Sequence, residues 1–247
     1  MTTFVKLPIL RGFTEIKKLY ELMKDKNAYI CGGYARYCCS TTKKVAQTDD
    51  VDIYCKDEET FNELKNILTS NKFENKHENE ISVVFKPSVS FYPCPKVNLI
   101  KPKEEFHVKT NGTVEEILEN FDFTVTRIAI INENECIADE DFAEHEKMQF
   151  LAIKNIHCPV SSALRFCKYY KKGYWTRPLQ IMKLFIDWDE RGNDYKDRLA
   201  DLLVKIEEDK KLTNKMGIGD GLDAAEITKK TEIESQIQEL YKIMMID

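Results

Sequence analysis

No C-x-x-C pair occurs in this chain, and its four histidines, His77, His107, His145 and His157, show no paired ligand spacing. A zinc finger or zinc ribbon is therefore not written in it. No apolar run approaches the ~18–20 residues needed to span a bilayer, so no membrane partner is expected. Residues 1–8 carry no basic region followed by a sustained apolar stretch, and secretion is not indicated. An excess of positive charge is missing too: 37 Lys and Arg stand against 42 Asp and Glu, a formal net charge of −5. That balance argues against a protein that coats nucleic acid nonspecifically, and it confines any nucleic-acid contact to a local patch. No internal repeat is visible.

The chain has 247 residues, 43% hydrophobic and 32% charged, which is the composition of a globular protein rather than a disordered or collagenous one. At about 150 residues per domain, the length suits one large domain or two small ones. A core of that size needs neither disulfide nor metal to hold it. The eight cysteines are Cys31, Cys38, Cys39, Cys55, Cys94, Cys136, Cys158 and Cys167. Most sit beside apolar residues and read as small hydrophobes with reduced thiols, which points to the cytoplasm.

Apolar residues at helical spacing predict a helix over 14–25, with Thr14 as its N-cap. A short strand over 28–31 is cut off by Gly32-Gly33, and a second helix follows over 34–40. Residues 50–55 alternate polar and apolar, the period of a strand. An amphipathic helix is expected over 58–70, and strands over 72–76, 81–86 and 96–100. Thr113 and Glu116 form a capping box that opens a helix over 113–120. Residues 123–131 suit either a strand or a buried helix. Beyond residue 145 only helical patterns appear, near 143–153, 160–172, 178–189, 195–209 and 222–245. The expected fold class is α+β: an N-terminal domain over 1–150 with a mixed sheet, then an all-helical domain over 151–247 that contacts nucleotide and acceptor.

Two features of the N-terminal part belong together. Gly32-Gly33 follows a strand and opens a helix, so the backbone can approach a ligand closely and offer free N–H groups to an anion. Asp50 and Asp52 lie two residues apart on a strand, which puts their carboxylates side by side. Adjacent carboxylates repel unless a cation sits between them, and Mg²⁺ suits one or two carboxylates plus substrate phosphates. A phosphate-friendly turn about 18 residues before a carboxylate pair points to metal-assisted phosphoryl chemistry on a nucleotide.

The order strand, Gly-Gly, helix, loop, D-x-D strand resembles the nucleotidyltransferase superfamily of DNA polymerase β, and within it the tRNA CCA-adding enzyme and bacterial poly(A) polymerase branch. That family's V-G-G-x-V-R-D motif appears as Cys31-Gly-Gly-Tyr-Ala-Arg-Tyr37, followed by Asp50-Val-Asp-Ile53. Its R-R-D-F-T-[IV]-N-A-[MI]-A motif appears as Asn120-Phe-Asp-Phe-Thr-Val-Thr-Arg-Ile-Ala129, with the D-F-T core intact at Asp122, Phe123 and Thr124. The resemblance covers about half the chain. It implies that Asp50 and Asp52 are catalytic and hold two Mg²⁺ ions (Mn²⁺ is an alternative) against the triphosphate of an NTP. It further implies that Gly32 and Gly33 cradle the phosphates with Arg36 close by, and that the Asp122 region shapes the nucleotide pocket. Arg127 is a candidate phosphate contact, with a structural ion pair as the preferred alternative.

This chain departs from the family in several places. Asn120 and Phe121 replace the paired arginines, Thr126 replaces the following asparagine, and Asn98 stands where many members add a third acid. The base-selecting E-D-x-x-R motif retains only Arg165. Lys168 opens a basic and aromatic segment over 168–177 that suits either phosphate binding with base stacking or a solvated face over core tyrosines. Residues 187–192 imitate an EF-hand start but put Arg191 and Arg198 where acids belong, and glycine-rich 217–221 reads as an interhelical loop. The resulting expectation is transfer of NMP from an NTP to a hydroxyl, first of all an RNA 3′ end, tRNA-like or other. The alternatives are nucleotidylation of a protein or small molecule and a degenerate NTP- or RNA-binding module. The short length and Lys/Asn-rich composition also resemble phage-encoded members of the family, which would place the protein in a host cytoplasm. The sequence leaves the oligomeric state open.

Overall fold

A computed structural model describes residues 2–42, 50–105, 108–156 and 159–190 of the chain. Strand β1 (Phe4–Pro8) leads into helix α1 (Phe13–Met23), which buries Ile16, Leu19 and Met23 at helical spacing. The expected cap Thr14 lies inside α1, and the cap position belongs to Gly12 at φ 75°. A side chain there would collide with Tyr37, whose Cε1 lies 2.5 Å from where its Cβ would be. Strand β2 (Ala28–Cys31) passes through Gly32 into α2 (Gly33–Cys39), and β3 spans Asp50–Cys55. Helix α3 (Glu58–Ser70) is capped by Asp57, whose carboxylate accepts from the Thr60 N–H at 2.8 Å.

Strands β4 (Glu74–Glu78), β5 (Ser82–Lys86) and β6 (Lys96–Ile100) follow, then a small ribbon of β7 (Glu104–Glu105) and β8 (Val108–Lys109). Helix α4 (Val114–Glu119) starts with both hydrogen bonds of the Thr113–Glu116 capping box in place. Residues 123–131 resolve into a 3-10 turn over Thr124–Thr126 and a strand, β9 (Ile128–Ile130). After β10 (Glu135–Asp139) come α5 (Phe142–Met148), α6 (Pro159–Lys171) and α7 (Pro178–Glu190). The helices expected over 195–209 and 222–245, and the loop over 217–221, lie outside the described residues. Among the described residues no helix is long and apolar enough to cross a membrane.

Eight strands form one mixed sheet in the order β1-β10-β9-β2-β3-β6-β5-β4, with β3 and β6 parallel and every other neighbour antiparallel. The strands β1 and β10 were not expected; they pair with each other along five residues at one edge of the sheet. At the opposite edge, β4 is exposed throughout and carries Glu74, Lys76 and Glu78, charges that discourage further pairing. On one face of the sheet, α1, α2 and α3 cover Val51, Ile53 and Cys55 of β3 to make the main core. On the other, Val114, Ile117 and Leu118 of α4 pack with Cys31 and Ala129. The chain divides into two compact units, one of Met1–His157 with Phe166–Gln180, the other of Cys158–Arg165 and Ile181–Asp247. The first contains the whole sheet.

The expectation of reduced thiols is corrected at one place: Cys39, ending α2, and Cys136, in β10, are paired as a disulfide across 97 residues of sequence. No local spacing marks such a pair, because only the fold brings the two segments together. The described free cysteines Cys31, Cys38, Cys55 and Cys94 are buried, as the small-hydrophobe reading has it. Burial pushes the thiols of Cys38, Cys55 and Cys94 up to about 12, and Cys31 is raised by burial and then by neighbouring Asp52. Iodoacetamide on the native chain at about pH 8 should therefore modify exposed Cys167 while these four stay unmodified until denaturant is added. Peptide mass spectrometry reads each site, and native modification of the buried four would refute their placement.

Candidate functional site

The site is built on strand β3, whose two faces differ sharply. Along β3, Val51, Ile53 and Cys55 point into the core while Asp50, Asp52 and Tyr54 stand half-buried on the other face. Asp50 and Asp52 are thus on one face, as their spacing demands. Strand β6 runs parallel beside them, with Asp52 opposite Asn98 in register. The Asn98 amide Nδ2 donates to Asp50 Oδ2 at 3.1 Å and to Asp52 Oδ1 at 2.9 Å. Both carboxylates therefore converge on a single neutral side chain. Ionised carboxylates only accept hydrogen bonds, so the amide can serve both solely through its nitrogen.

The glycine turn lies at the same end of β3. Cys31, the last residue of β2, pairs with Asp52, so the chain enters Gly32-Gly33 beside the start of the carboxylate strand. Gly32 has φ 70° and donates its N–H to the Ile128 carbonyl at 2.9 Å. A Cβ there would sit 3.2 Å from the Phe121 ring. Phe121 also lies 5.5 Å, centroid to centroid, from Tyr54, two residues along the strand from Asp52. It fills the space between the two sequence motifs in a position where the resembled family carries an arginine. Its contact with Gly32 carried no signal in the sequence.

Asp122 and Arg127 belong to the frame behind this face. Asp122 is 2% exposed; its carboxylate accepts from the Phe123 N–H at 3.1 Å and its carbonyl from the Lys154 N–H at 2.8 Å. Arg127 is 3% exposed and donates through Nε to the Phe121 carbonyl (2.9 Å) and through Nη2 to the Glu119 carbonyl (2.8 Å). Its Nη1 lies 3.6 Å from fully buried Asp139, an ion pair to which Lys154 adds a second cation at 3.5 Å. Burial lowers the Arg127 pKa, and Asp139 opposes that shift. The guanidinium thus stitches the chain on either side of Asp122 to β10.

Arg36 is enclosed as well. It is 2% exposed, with Nη1 donating to the Tyr174 hydroxyl at 3.2 Å and the guanidinium over the rings of Tyr169 (4.9 Å) and Tyr174 (5.4 Å). Tyr174 donates onward to Glu146 at 2.7 Å, and the Ser40 hydroxyl donates to the same carboxylate at 2.9 Å. Burial pulls the Arg36 pKa down, yet Tyr169, Glu146 and Tyr174 together leave it raised. The basic and aromatic segment is therefore divided: Tyr169 and Tyr174 are core and cover Arg36, while Lys168, Tyr170, Lys171 and Lys172 are exposed. Trp175 is half-exposed and packs on Phe150 with ring centroids 4.7 Å apart. Arg165 is exposed on α6.

The donor set at β3 is two hard carboxylates held beside one amide. Among the described residues no group of three or more His, Cys, Asp or Glu is arranged to hold a metal ion. Two carboxylates still fit Mg²⁺, which takes oxygen ligands and commonly completes its shell with water and phosphate. Asp50 and Asp52 are the residues that would hold it.

The model of a family described as Gabija anti-defense 2 family protein matches residues 7–148. No curated protein matches the chain. Among solved structures it is similar to a Bacillus stearothermophilus CCA-adding enzyme in complex with CTP, at 18% identity and a TM-score of 0.51, over 71% of this chain and 43% of that one. A Thermotoga maritima CCA-adding enzyme complexed with tRNA is similar at 12% identity and a TM-score of 0.52, over 74% and 45%. A further CCA-adding enzyme with CTP gives 16% and 0.51, over 80% and 49%. The described fold is thus shared with these CCA-adding enzymes, and the chain spans less than half of their length.

Removing one partner from a buried ion pair costs about 3 kcal/mol or more. Arg127→Met should therefore lower the urea-unfolding free energy by about that much, and a loss under about 1 kcal/mol would contradict the ion-pair geometry. The pH dependence of stability follows from His145, whose Nδ1 lies 2.8 Å from the Thr124 hydroxyl. Burial holds its pKa below the ordinary value. The unfolded chain then takes up a proton that the folded one resists. Stability should be full above about pH 6.5 and decline as the pH falls below it. Melting temperatures across that range should fall less steeply in His145→Gln, and an unchanged slope would exclude His145 as a source.

Proposed function

The chain belongs to the Gabija anti-defense 2 family, and from that premise we propose that it is a Mg²⁺-dependent nucleotidyltransferase moving NMP from an NTP to a hydroxyl acceptor. The observation that carries this reading is the convergence of Asp50 and Asp52 on the Asn98 amide beside the Gly32-Gly33 turn. In the reaction, an acceptor oxygen bonds to the α-phosphorus, the bond from that phosphorus to the β-phosphate bridging oxygen breaks, and pyrophosphate leaves while the hydroxyl proton passes to solvent. A bound divalent cation supplies polarisation of the phosphate and a lower pKa for the attacking hydroxyl.

The chain's own residues have distinct tasks. Asp50 and Asp52 hold the cation and thereby the triphosphate. Gly32 and Gly33 let the backbone come close to the phosphates, since no Cβ stands in the way. Asp122 and Arg127 set the wall on which Phe121 rests, and Arg36 holds α2 against Tyr174 from behind. Lys168 and Arg165 are each exposed and each a candidate contact for nucleotide or acceptor phosphate, and the helical part beyond residue 150 is the candidate acceptor-binding region.

The first acceptor to consider is an RNA 3′ end. The likeness in fold to a CCA-adding enzyme complexed with tRNA supports it. The family description favours a second reading, in which a protein or small molecule of a Gabija defence is nucleotidylated to disarm it. Incubation with each labelled NTP, Mg²⁺ and total RNA, or with an extract carrying the defence, separates the two by where the label goes. Asp50→Asn and Asp52→Asn should each reduce incorporation at least ~100-fold, the scale of losing a transition-state charge stabiliser. Transfer at the wild-type rate in both variants would overturn the assignment. Binding of NTP or RNA with no transfer at all would leave a degenerate binding module.

A further inference from the structure

We propose that Asn98 is a positioning residue: its amide clamps Asp50 and Asp52 so that the two carboxylates present a preformed seat to one divalent cation. The proposal rests on the reading of Asp50 and Asp52 as cation ligands. Two carboxylates on neighbouring positions of one strand face repel, and without a partner each would lower its energy by swinging away. Here one amide nitrogen reaches both, at 3.1 and 2.9 Å. It donates to Oδ2 of Asp50 and to Oδ1 of Asp52, one oxygen of each carboxylate.

The clamp is rigidly mounted. Val97 and Leu99, on either side of Asn98, are fully buried on the core face of β6. Their burial fixes the strand, and β6 pairs with β3 on one side and β5 on the other. The side chain opposite Asp52 therefore has little freedom to follow a departing carboxylate. An acid at this place would add a third negative charge and no donor. Asparagine adds donors and no charge, so the carboxylates are organised before the cation arrives and the site keeps the charge for one protein-held ion. Groups that hydrogen-bond to metal ligands commonly matter about 10–100-fold in metal affinity.

Mn²⁺, visible by electron paramagnetic resonance, titrated into the full chain without nucleotide tests this directly. The wild-type chain should bind it, and Asp50→Asn or Asp52→Asn should abolish that binding. Asn98→Ala and Asn98→Leu, of which one leaves a gap and the other fills it, should each weaken Mn²⁺ affinity about tenfold or more while the metal-free melting curve stays near that of wild type. Wild-type affinity in either folded variant would overturn the clamp and leave the cation site standing. Absence of Asp50- and Asp52-dependent binding in the wild type would overturn both.

Discussion

Side chains on a strand alternate, and along β3 that alternation sends Val51, Ile53 and Cys55 into the core while Asp50 and Asp52 stand together on the opposite face. Everything else at the site is arranged around this one strand. Burying an apolar side chain such as Ile53 contributes roughly 2–3 kcal/mol, so the three inward residues hold the strand firmly in a central place. The outward carboxylates inherit that rigidity without being buried themselves. Neighbours β2 and β6 then bring in the glycine turn and Asn98 by register, not by sequence proximity.

Behind the carboxylate face, charge is used structurally. Arg127 pairs with Asp139 and binds the carbonyls of Glu119 and Phe121, so the chain that carries Asp122 is pinned from both sides. Arg36 holds Tyr174, and Tyr174 holds Glu146. Both guanidiniums are nearly inaccessible: Arg127 is bonded to backbone carbonyls and paired with Asp139, while Arg36 bonds Tyr174 and lies over two tyrosine rings. Arg36, which the motif resemblance puts near the phosphates, and Arg127, for which an ion pair was the preferred reading, both lie in the frame around this face.

The local elements were legible where periodicity ran long enough. The strand over 50–55 and the helix over 58–70 match β3 and α3 residue for residue, and the capping box at Thr113 opens α4 as read. The pair β1 and β10 was not read from the sequence; its pairing joins segments more than 120 residues apart. The ambiguity over 123–131 had a physical origin as well. Every residue from Asp122 to Ile130 is buried, so no polar face remained to show a period. The Cys39–Cys136 pair was equally invisible, since its two halves meet only once α2 and β10 are placed.

The sequence by itself determined that two carboxylates share a strand face close after a glycine turn, because a period of two and a missing Cβ are local properties. It also determined a chain with a soluble-type composition and a small negative charge. Only the tertiary structure decided that Asn98 bridges both carboxylates, that Phe121 closes on Gly32, and that Arg36 and Arg127 are enclosed. Those outcomes depend on which strands become neighbours and in what register, a choice made by packing between segments far apart in sequence.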